Sequence, residues 1–227
     1  MKRILFFLCV MMMTNLLFAQ TGFNMGVSFN YAPSTLINAT SPQEIPALDF
    51  DFKLKNSIGG QLDFAYFINP VWSIIASAGY LQRGATFANP EAEYLPRYRF
   101  SYLDFSLGTT YHFNLEKRYS PFVSLSLTQH NLLTASLKNS FEELTIKDDI
   151  STTDVGLLLA VGTDYKLSTK KTIQLSLFYN QGFVNVFNGI YRENGLKAFN
   201  SVFGIRAGYS FGVMQKKLRL QNDNNTP

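Results

Sequence analysis

The sequence predicts an all-β protein: a transmembrane up-and-down antiparallel β-barrel of about eight strands, preceded by a signal peptide. Three observations carry that prediction. A short apolar segment follows a basic N-terminus, apolar and small or polar residues alternate in stretches of about ten, and the connections between those stretches are alternately short and long.

Lys2 and Arg3 precede an apolar run over residues 4–13, and Leu17, Phe18 and Ala19 lead to Gln20. A basic start, a short apolar centre and a small residue at the end describe a secretory leader over residues 1–19, too short to remain as a spanning helix. Cleavage there leaves about 208 residues, one domain by length. Cys9 lies in the apolar run without a small-residue lipobox before it and departs with the leader. The exported chain then has no disulfide, so its fold must hold itself together.

The formal charge of +4 falls to about +2 once Lys2 and Arg3 are gone, and the remaining basic residues form no stripe interleaved with aromatics. That argues against nucleic acid as a partner. Phe and Tyr are abundant, 21 and 12, with a single Trp, yet apolar content is only 46%. A bundle of membrane helices needs more. A membrane barrel does not, because only every second strand residue meets lipid.

Period two identifies the strands in order. In the first, Phe23, Met25, Val27, Phe29 and Tyr31 share one face and Asn24, Gly26, Ser28 and Asn30 the other. The second, over 57–68, sets Ile58, Leu62, Phe64 and Tyr66 against Gly59, Gln61, Asp63 and Ala65, and Asn69-Pro70 makes a tight turn. The third, over 71–83, sets Trp72, Ile74, Ala76, Ala78 and Tyr80 against Ser73, Ser77, Gly79 and Arg83. The fourth sets Leu103, Phe105, Leu107, Tyr111 and Phe113 against Asp104, Ser106, Gly108, Thr110 and His112.

The fifth alternates Val123, Leu125 and Leu127 with Ser124, Ser126, Thr128 and His130. The sixth alternates Val155, Leu157, Leu159 and Val161 with Asp154, Gly156, Gly162 and Asp164, although Leu158 interrupts the polar face. The seventh, over 172–183, places Ile173, Leu175, Leu177 and Tyr179 opposite Gln174, Ser176 and Asn180. The eighth places Phe203, Ile205, Ala207, Tyr209 and Phe211 opposite Gly204, Arg206, Gly208, Ser210 and Gly212.

Links at 69–70, 114–119 and 166–171 are short, whereas those at 32–55, 84–97, 133–150 and 184–198 are long. Short periplasmic turns and long outward loops have this rhythm, which predicts the cell outer membrane and puts both chain ends in the periplasm. A soluble lipocalin-like binding barrel also alternates, with its apolar face inward. Volume decides between them. Eight strands enclose an interior just wide enough for side chains, and the face rich in Phe, Tyr, Leu and Ile would overfill it. Lys is also almost confined to turns, loops and the tail.

Tyr66, Trp72, Tyr111, Phe113, Tyr209 and Phe211 fall near strand ends and suit an interfacial girdle. Residues 20–213 therefore form the barrel, and residues 214–227, with Lys216, Lys217 and Arg219, form a flexible polar tail. With Lys117, Arg118, Lys170 and Lys171 this tail makes a basic periplasmic rim near anionic headgroups, or simply a solvated end.

The Phe-Ala-Gln cleavage region, the glycine-bearing strands beginning at Gly22 and Gly204, and the Asn69-Pro70 turn before Trp72 together resemble the PorT-like outer-membrane barrel family of Bacteroidetes. The resemblance spans nearly the whole exported chain, through pattern rather than a diagnostic motif. It implies an eight-stranded barrel in the outer membrane. The founding member of that family is tied to type IX secretion, but no motif here singles out that role.

The polar face supplies a candidate lumen network of Gln61, Asp63, Arg83, Asp104, His112, His130, Asp154, Asp164 and Arg206. Charges in a narrow lumen must pair, which predicts a salt-bridged plug; a small pore would need a continuous wet lumen. A lipid-active hydrolase or acyltransferase would need a histidine beside a serine, oriented by an acid. Ser126 and His130 share a strand face but lie too far apart, no neighbouring strand offers an identifiable nucleophile for His130, and His112 sits toward the periplasmic turn, the wrong leaflet for lipopolysaccharide chemistry. The prediction is therefore no enzyme, with no catalytic residues.

No metal site, cofactor or nucleotide cradle is expected, because two separated histidines and no retained cysteine give no ligand spacing. Asp148-Asp149 reads as a solvated turn or a contact for a cation bridging lipopolysaccharide. The expected partners are outer-membrane lipid and lipopolysaccharide, and an envelope protein complex reached through the long loops or the basic rim. In those loops Leu48, Phe50, Phe52, Leu95, Tyr98, Phe100, Phe141, Leu144 and Ile146 could dock a partner, but spacing of two favours strands that extend above the membrane. The expected role is a non-enzymatic structural or interaction component of the envelope.

Overall fold

The computed structural model describes residues 22–40, 51–69, 71–88, 97–113, 117–138, 142–168, 170–193 and 195–214. The leader and the C-terminal tail beyond Met214, which ends the last strand, lie outside the described residues, as do Leu48, Phe50, Leu95 and Phe141.

Among the described residues twelve strands follow in chain order: β1 (Phe23–Tyr31), β2 (Ser34–Thr40), β3 (Asp51–Lys53), β4 (Ile58–Phe67), β5 (Trp72–Arg83), β6 (Thr86–Ala88), β7 (Arg97–His112), β8 (Tyr119–Lys138), β9 (Glu143–Thr145), β10 (Thr153–Lys166), β11 (Lys171–Gly182) and β12 (Lys197–Met214). A 3-10 turn covers Lys147–Asp149, and a short helix, α1, covers Gly189–Glu193. Eight of the strands form the wall in the cyclic order β1, β4, β5, β7, β8, β10, β11, β12, each antiparallel to its neighbours. Pairing of β1 with β12, Val27 opposite Tyr209, closes the sheet and removes both edges.

Alternation works as the physics requires. Along β8 from Tyr119 to His130 exposed and buried residues take strict turns, with Val123, Leu125 and Leu127 outward and Ser124, Ser126 and Thr128 inward. On β1, Val27, Phe29 and Tyr31 are exposed while Ser28 and Asn30 are buried. An outward apolar face and an inward polar face make the barrel a lipid-facing one.

The wall is taller than period two alone delimits. β2, inside the first long link, continues the line of β1 and pairs with β12, so 32–55 is only partly a loop. β7 begins at Arg97, and β8 runs on to Lys138, each well above the last polar pair in the lumen. Their pairing slips one residue between Ser101 and Tyr102, since Leu133 is extra on β8. Such a bulge bends and twists the wall where it leaves the membrane zone. At Gly84 the chain takes φ +136 between β5 and β6, and a Cβ there would collide with the Tyr98 carbonyl, so glycine is required.

Above the lumen these extensions enclose an apolar cluster of Leu36, Ala85, Phe100, Tyr102, Leu132, Ala135, Ile150, Val186, Phe187 and Ala198, with Tyr98, Ile146 and Leu196 against it. Tyr98, Phe100 and Ile146 therefore pack inward and are not displayed for docking. Leu144 is exposed. Asn185 ties the last link down, accepting from the backbone N–H groups of Phe187 and Ala198.

Candidate functional site

The nine polar residues anticipated for the lumen all lie on the inward face, and they sort into three tiers. In the middle tier Asp63 accepts from Ser28 at 2.5 Å, Gln61 at 2.5 Å and Ser77 at 2.8 Å, a carboxylate with three short-range donors. Asn30 donates to Gln61 at 3.2 Å and accepts from Arg206 Nε at 2.8 Å. The Arg206 guanidinium also lies over the Phe178 ring, 4.9 Å from its centroid. A cation on an aromatic face is stabilised by the ring quadrupole, more so away from water.

The upper tier is an ion cluster. Arg83 Nη2 donates to Asp104 Oδ2 at 2.8 Å, and His130 Nδ1 stands 2.9 Å from both Asp104 Oδ1 and Arg83 Nη2. Arg83 and His130 have no exposed surface. Arg83 also sits 5.4 Å from the centre of the Tyr102 ring. Beside it Asp154 accepts from Asn200 at 3.1 Å and from the Val184 backbone N–H at 3.1 Å, so it fastens the base of the last long link to the wall.

In the lower tier Asp164 accepts from Gln174 at 3.1 Å and lies 3.4 Å from His112 Nδ1, while His112 Nε2 is 3.2 Å from Ser73 Oγ. One contact was not anticipated: a cross-strand serine reaches His112. β5 and β7 run side by side, and their register brings Ser73 and His112 together. The order Ser73, His112, Asp164 is that of a hydrolase triad. Ser73, however, is 0% exposed, and the rings of Phe67 and Phe122 flank the imidazole at 5.2 and 6.0 Å. A nucleophile needs a reacting atom within about 3 Å and donors for the oxyanion, and the packing leaves no such room.

Between the tiers lies a cavity of about 30 Å³, lined among others by Asp104, His130, Leu158, Phe178, Asn180 and Arg206. It has room for about two waters at ~10–15 Å³ each. Leu158, the residue that interrupts the polar face, packs inward with Leu81, Ala160, Phe178, Ala32 and Val202. The lumen is thus a polar network interrupted by a small apolar seam, and its outer end is stopped by the cluster around Phe100 and Ile150.

Sequence reasoning missed Ser73 and Asn30 as network members, although both stand on the polar face. It also missed Tyr102, Phe178 and Asn200, where inward aromatics and a residue outside the assigned strand gave no period-two signal. Asp148 and Asp149 sit in the 3-10 turn, and among the described residues no group of three metal-ligating side chains forms.

The anticipated girdle lies at the short-turn end, each member exposed or half-buried. Trp72 meets Tyr111 edge-on at 5.0 Å, and Tyr111 meets Phe113 at 5.1 Å. Tyr31, Tyr80 and Tyr179 are exposed at the opposite end of the lipid-facing band. Tyr80 bonds Ser101 at 2.9 Å, and Tyr179 donates to Gln181 at 2.7 Å, so apolar rings face lipid while hydroxyls meet polar groups.

A closed eight-stranded barrel, apolar outside and polar inside with aromatics at both borders, defines a protein of the bacterial outer membrane. The chain belongs to the outer membrane protein beta-barrel domain family, whose model matches residues 18–188. Among solved structures it is similar to the outer membrane protein OprG from Pseudomonas aeruginosa, at 12% identity and a TM-score of 0.53, over 85% of this chain and 97% of that one. It is also similar to Neisserial surface protein A, at 13% identity and a TM-score of 0.48, over 83% and 96%. The outer membrane protease OmpT from Escherichia coli aligns at 11% identity and a TM-score of 0.43, over 86% and 97%. No curated protein matches the chain by sequence.

Proposed function

We propose that this outer-membrane barrel is a non-enzymatic structural or interaction component of the envelope, a sealed scaffold that works through its rims and outer surface. One observation carries the reading: the lumen is filled by its own hydrogen-bonded polar side chains, the Arg83–Asp104 ion pair among them, and closed above by the apolar cluster centred on Phe100 and Ile150. A solute would have to displace both, and leaving one charge of a buried pair alone costs about 3–5 kcal/mol. Ser73, the one serine beside a histidine among the described residues, is shielded from any substrate.

Membership of the PorT-like barrels of Bacteroidetes, and a supporting role in a secretion or assembly machine, belong to the same proposal. They rest on the sequence resemblance and on the basic rim, where Arg118 stacks at 4.8 Å from the Tyr165 ring centre and Lys170 and Lys171 are exposed. Lipid and lipopolysaccharide surround the barrel in this reading, and a protein partner sits on that rim. Photo-crosslinking from Lys170 and Lys171 in living cells tests it. Discrete adducts with envelope proteins support an interaction role; adducts with lipid alone refute it.

A further inference from the structure

A row of cations crosses the outer part of the wall. Register places Lys53 opposite Thr86, Thr86 opposite Arg97, and Arg97 opposite Lys138, all on one face. That face is the outer one, because Lys53, Arg97, Arg99 and Lys138 are exposed while the neighbouring Phe100 is buried inside. Lys55 and Arg99 form the next row toward the membrane. Glu143 is the acid that meets this group: it pairs with Arg99 at 3.7 Å, both side chains being nearly half exposed, and stands opposite Lys138 in the register of β8 and β9. Glu143 also accepts from Ser136 at 2.7 Å.

The height of the row matters as much as its charge. On β7 the outward residues from Leu103 to Phe113 rise ~26 Å at ~3.4 Å per residue and ~40° tilt, which matches the ~25 Å apolar band of such barrels. Tyr80, paired with Leu103, marks its outer border. Arg99 lies ~10 Å higher by the same arithmetic, and long basic side chains reach several ångströms back toward the border. The cluster thus overlooks the headgroup layer and is neither in hydrocarbon nor at the loop tips.

We propose that Lys53, Lys55, Arg97, Arg99 and Lys138 bind the phosphate groups of a phosphorylated glycolipid in the outer leaflet. Five cations, Lys53 at the end of β3, Lys55 just after it, Arg97 and Arg99 on β7 and Lys138 at the end of β8, match a ligand with more than one phosphate, and Arg97 and Arg99 offer planar forks that a phosphate accepts bidentately. Like charges held this close repel one another in the free protein, and burial together with Arg99 and Arg97 pushes the Lys55 amine down to about 8. An anion relieves that repulsion. The acyl chains of such a lipid would lie along the exposed outer residues Leu103, Phe105 and Leu107 directly below.

The proposal rests on the barrel standing with its long links outward. Native mass spectrometry of the detergent-released, folded barrel measures retention of bisphosphorylated lipid A against its dephosphorylated form. The expected result is preferential, salt-sensitive retention of the phosphorylated lipid, reduced at least tenfold by combined Arg97→Gln, Arg99→Gln and Lys138→Gln and restored in part by lysine at the two arginine positions. Heat-modifiable mobility on gels confirms that each variant is folded.

Equal retention of both lipids, or retention unchanged in the triple variant, overturns the site. Loss of retention in Lys170→Gln/Lys171→Gln instead assigns the lipid to the opposite rim and also overturns it. Orientation is read separately, by labelling Lys138→Cys with an impermeant maleimide in intact cells. Labelling there with no phosphate preference would sink the glycolipid site while leaving the barrel reading intact.

Discussion

Arg83 and Asp104 meet at 2.8 Å inside the barrel, and His130 closes the triangle at 2.9 Å from each. A charge taken out of water needs its partner more than the pair as a whole is needed. Asp104→Asn or Arg83→Met alone should therefore cost about 3–5 kcal/mol, whereas replacing both by apolar residues of similar volume should restore much of the loss. Urea unfolding in lipid vesicles, followed by the fluorescence of Trp72, the single tryptophan, would measure this.

Leu107 and Ser106 are adjacent in β7 yet face different solvents, Leu107 being 62% exposed and Ser106 directed into the lumen. Leu107→Arg near mid-membrane should cost about 2–4 kcal/mol through loss of the lipid contact. Ser106→Arg should block folding by crowding, because the cavity that Ser106 lines has space for about two waters. Equal tolerance of both substitutions would mean that the faces are assigned the wrong way round.

Lys55 lies above the membrane with its amine held down near 8, chiefly by burial and then by Arg99 and Arg97. Between about pH 8 and the ordinary value of 10.5 the folded chain binds fewer protons at this site than the unfolded one. The sign follows: this contribution to stability rises with pH across that window. Arg99→Gln should raise the Lys55 value part of the way, burial being unchanged. NMR titration of the dimethylated lysine reads the shift directly.

The apolar cluster above the lumen should make the barrel a poor conductor. Planar bilayer recordings of the wild type should show no unitary steps. Phe100→Ala should cost about 3–5 kcal/mol and Ile150→Ala about 2–5, as large core truncations do. Steady conductance in the unmodified protein would refute the sealed lumen.

Ser73, His112 and Asp164 stand in triad order without access for a substrate. A fluorophosphonate probe should leave the folded protein unlabelled, and Ser73→Ala should leave lipid turnover in vesicles at background. Labelling abolished by Ser73→Ala would reverse the non-enzymatic reading.

The eight membrane strands were legible because the bilayer imposes period two with few exceptions. Val123, Leu125 and Leu127 against Ser124, Ser126 and Thr128 leave one solution, since a slip of one residue would turn every apolar side chain into a lumen that cannot hold it. The parts above the bilayer were harder. There the wall meets water outside and packs against chain inside, so Arg97, Tyr98, Arg99 and Phe100 alternate with charge outward and aromatics inward, the reverse polarity of the strands below. The sequence pattern implied extended strands but not which side chains they bury.

What the sequence by itself determined is the barrel, its eight staves, its facing and the charged residues of the inward polar face, all consequences of local alternation under a one-sided solvent. Which polar residues meet was decided only by the tertiary structure. Ser73 reaches His112, and Asn200 reaches Asp154 from a strand far along the chain, through the register of neighbouring staves and the curvature of a closed wall. Alternation fixes the face on which a residue stands, but the partner across a lumen depends on the stagger at which the sheet closes, and no stretch of local sequence carries that quantity.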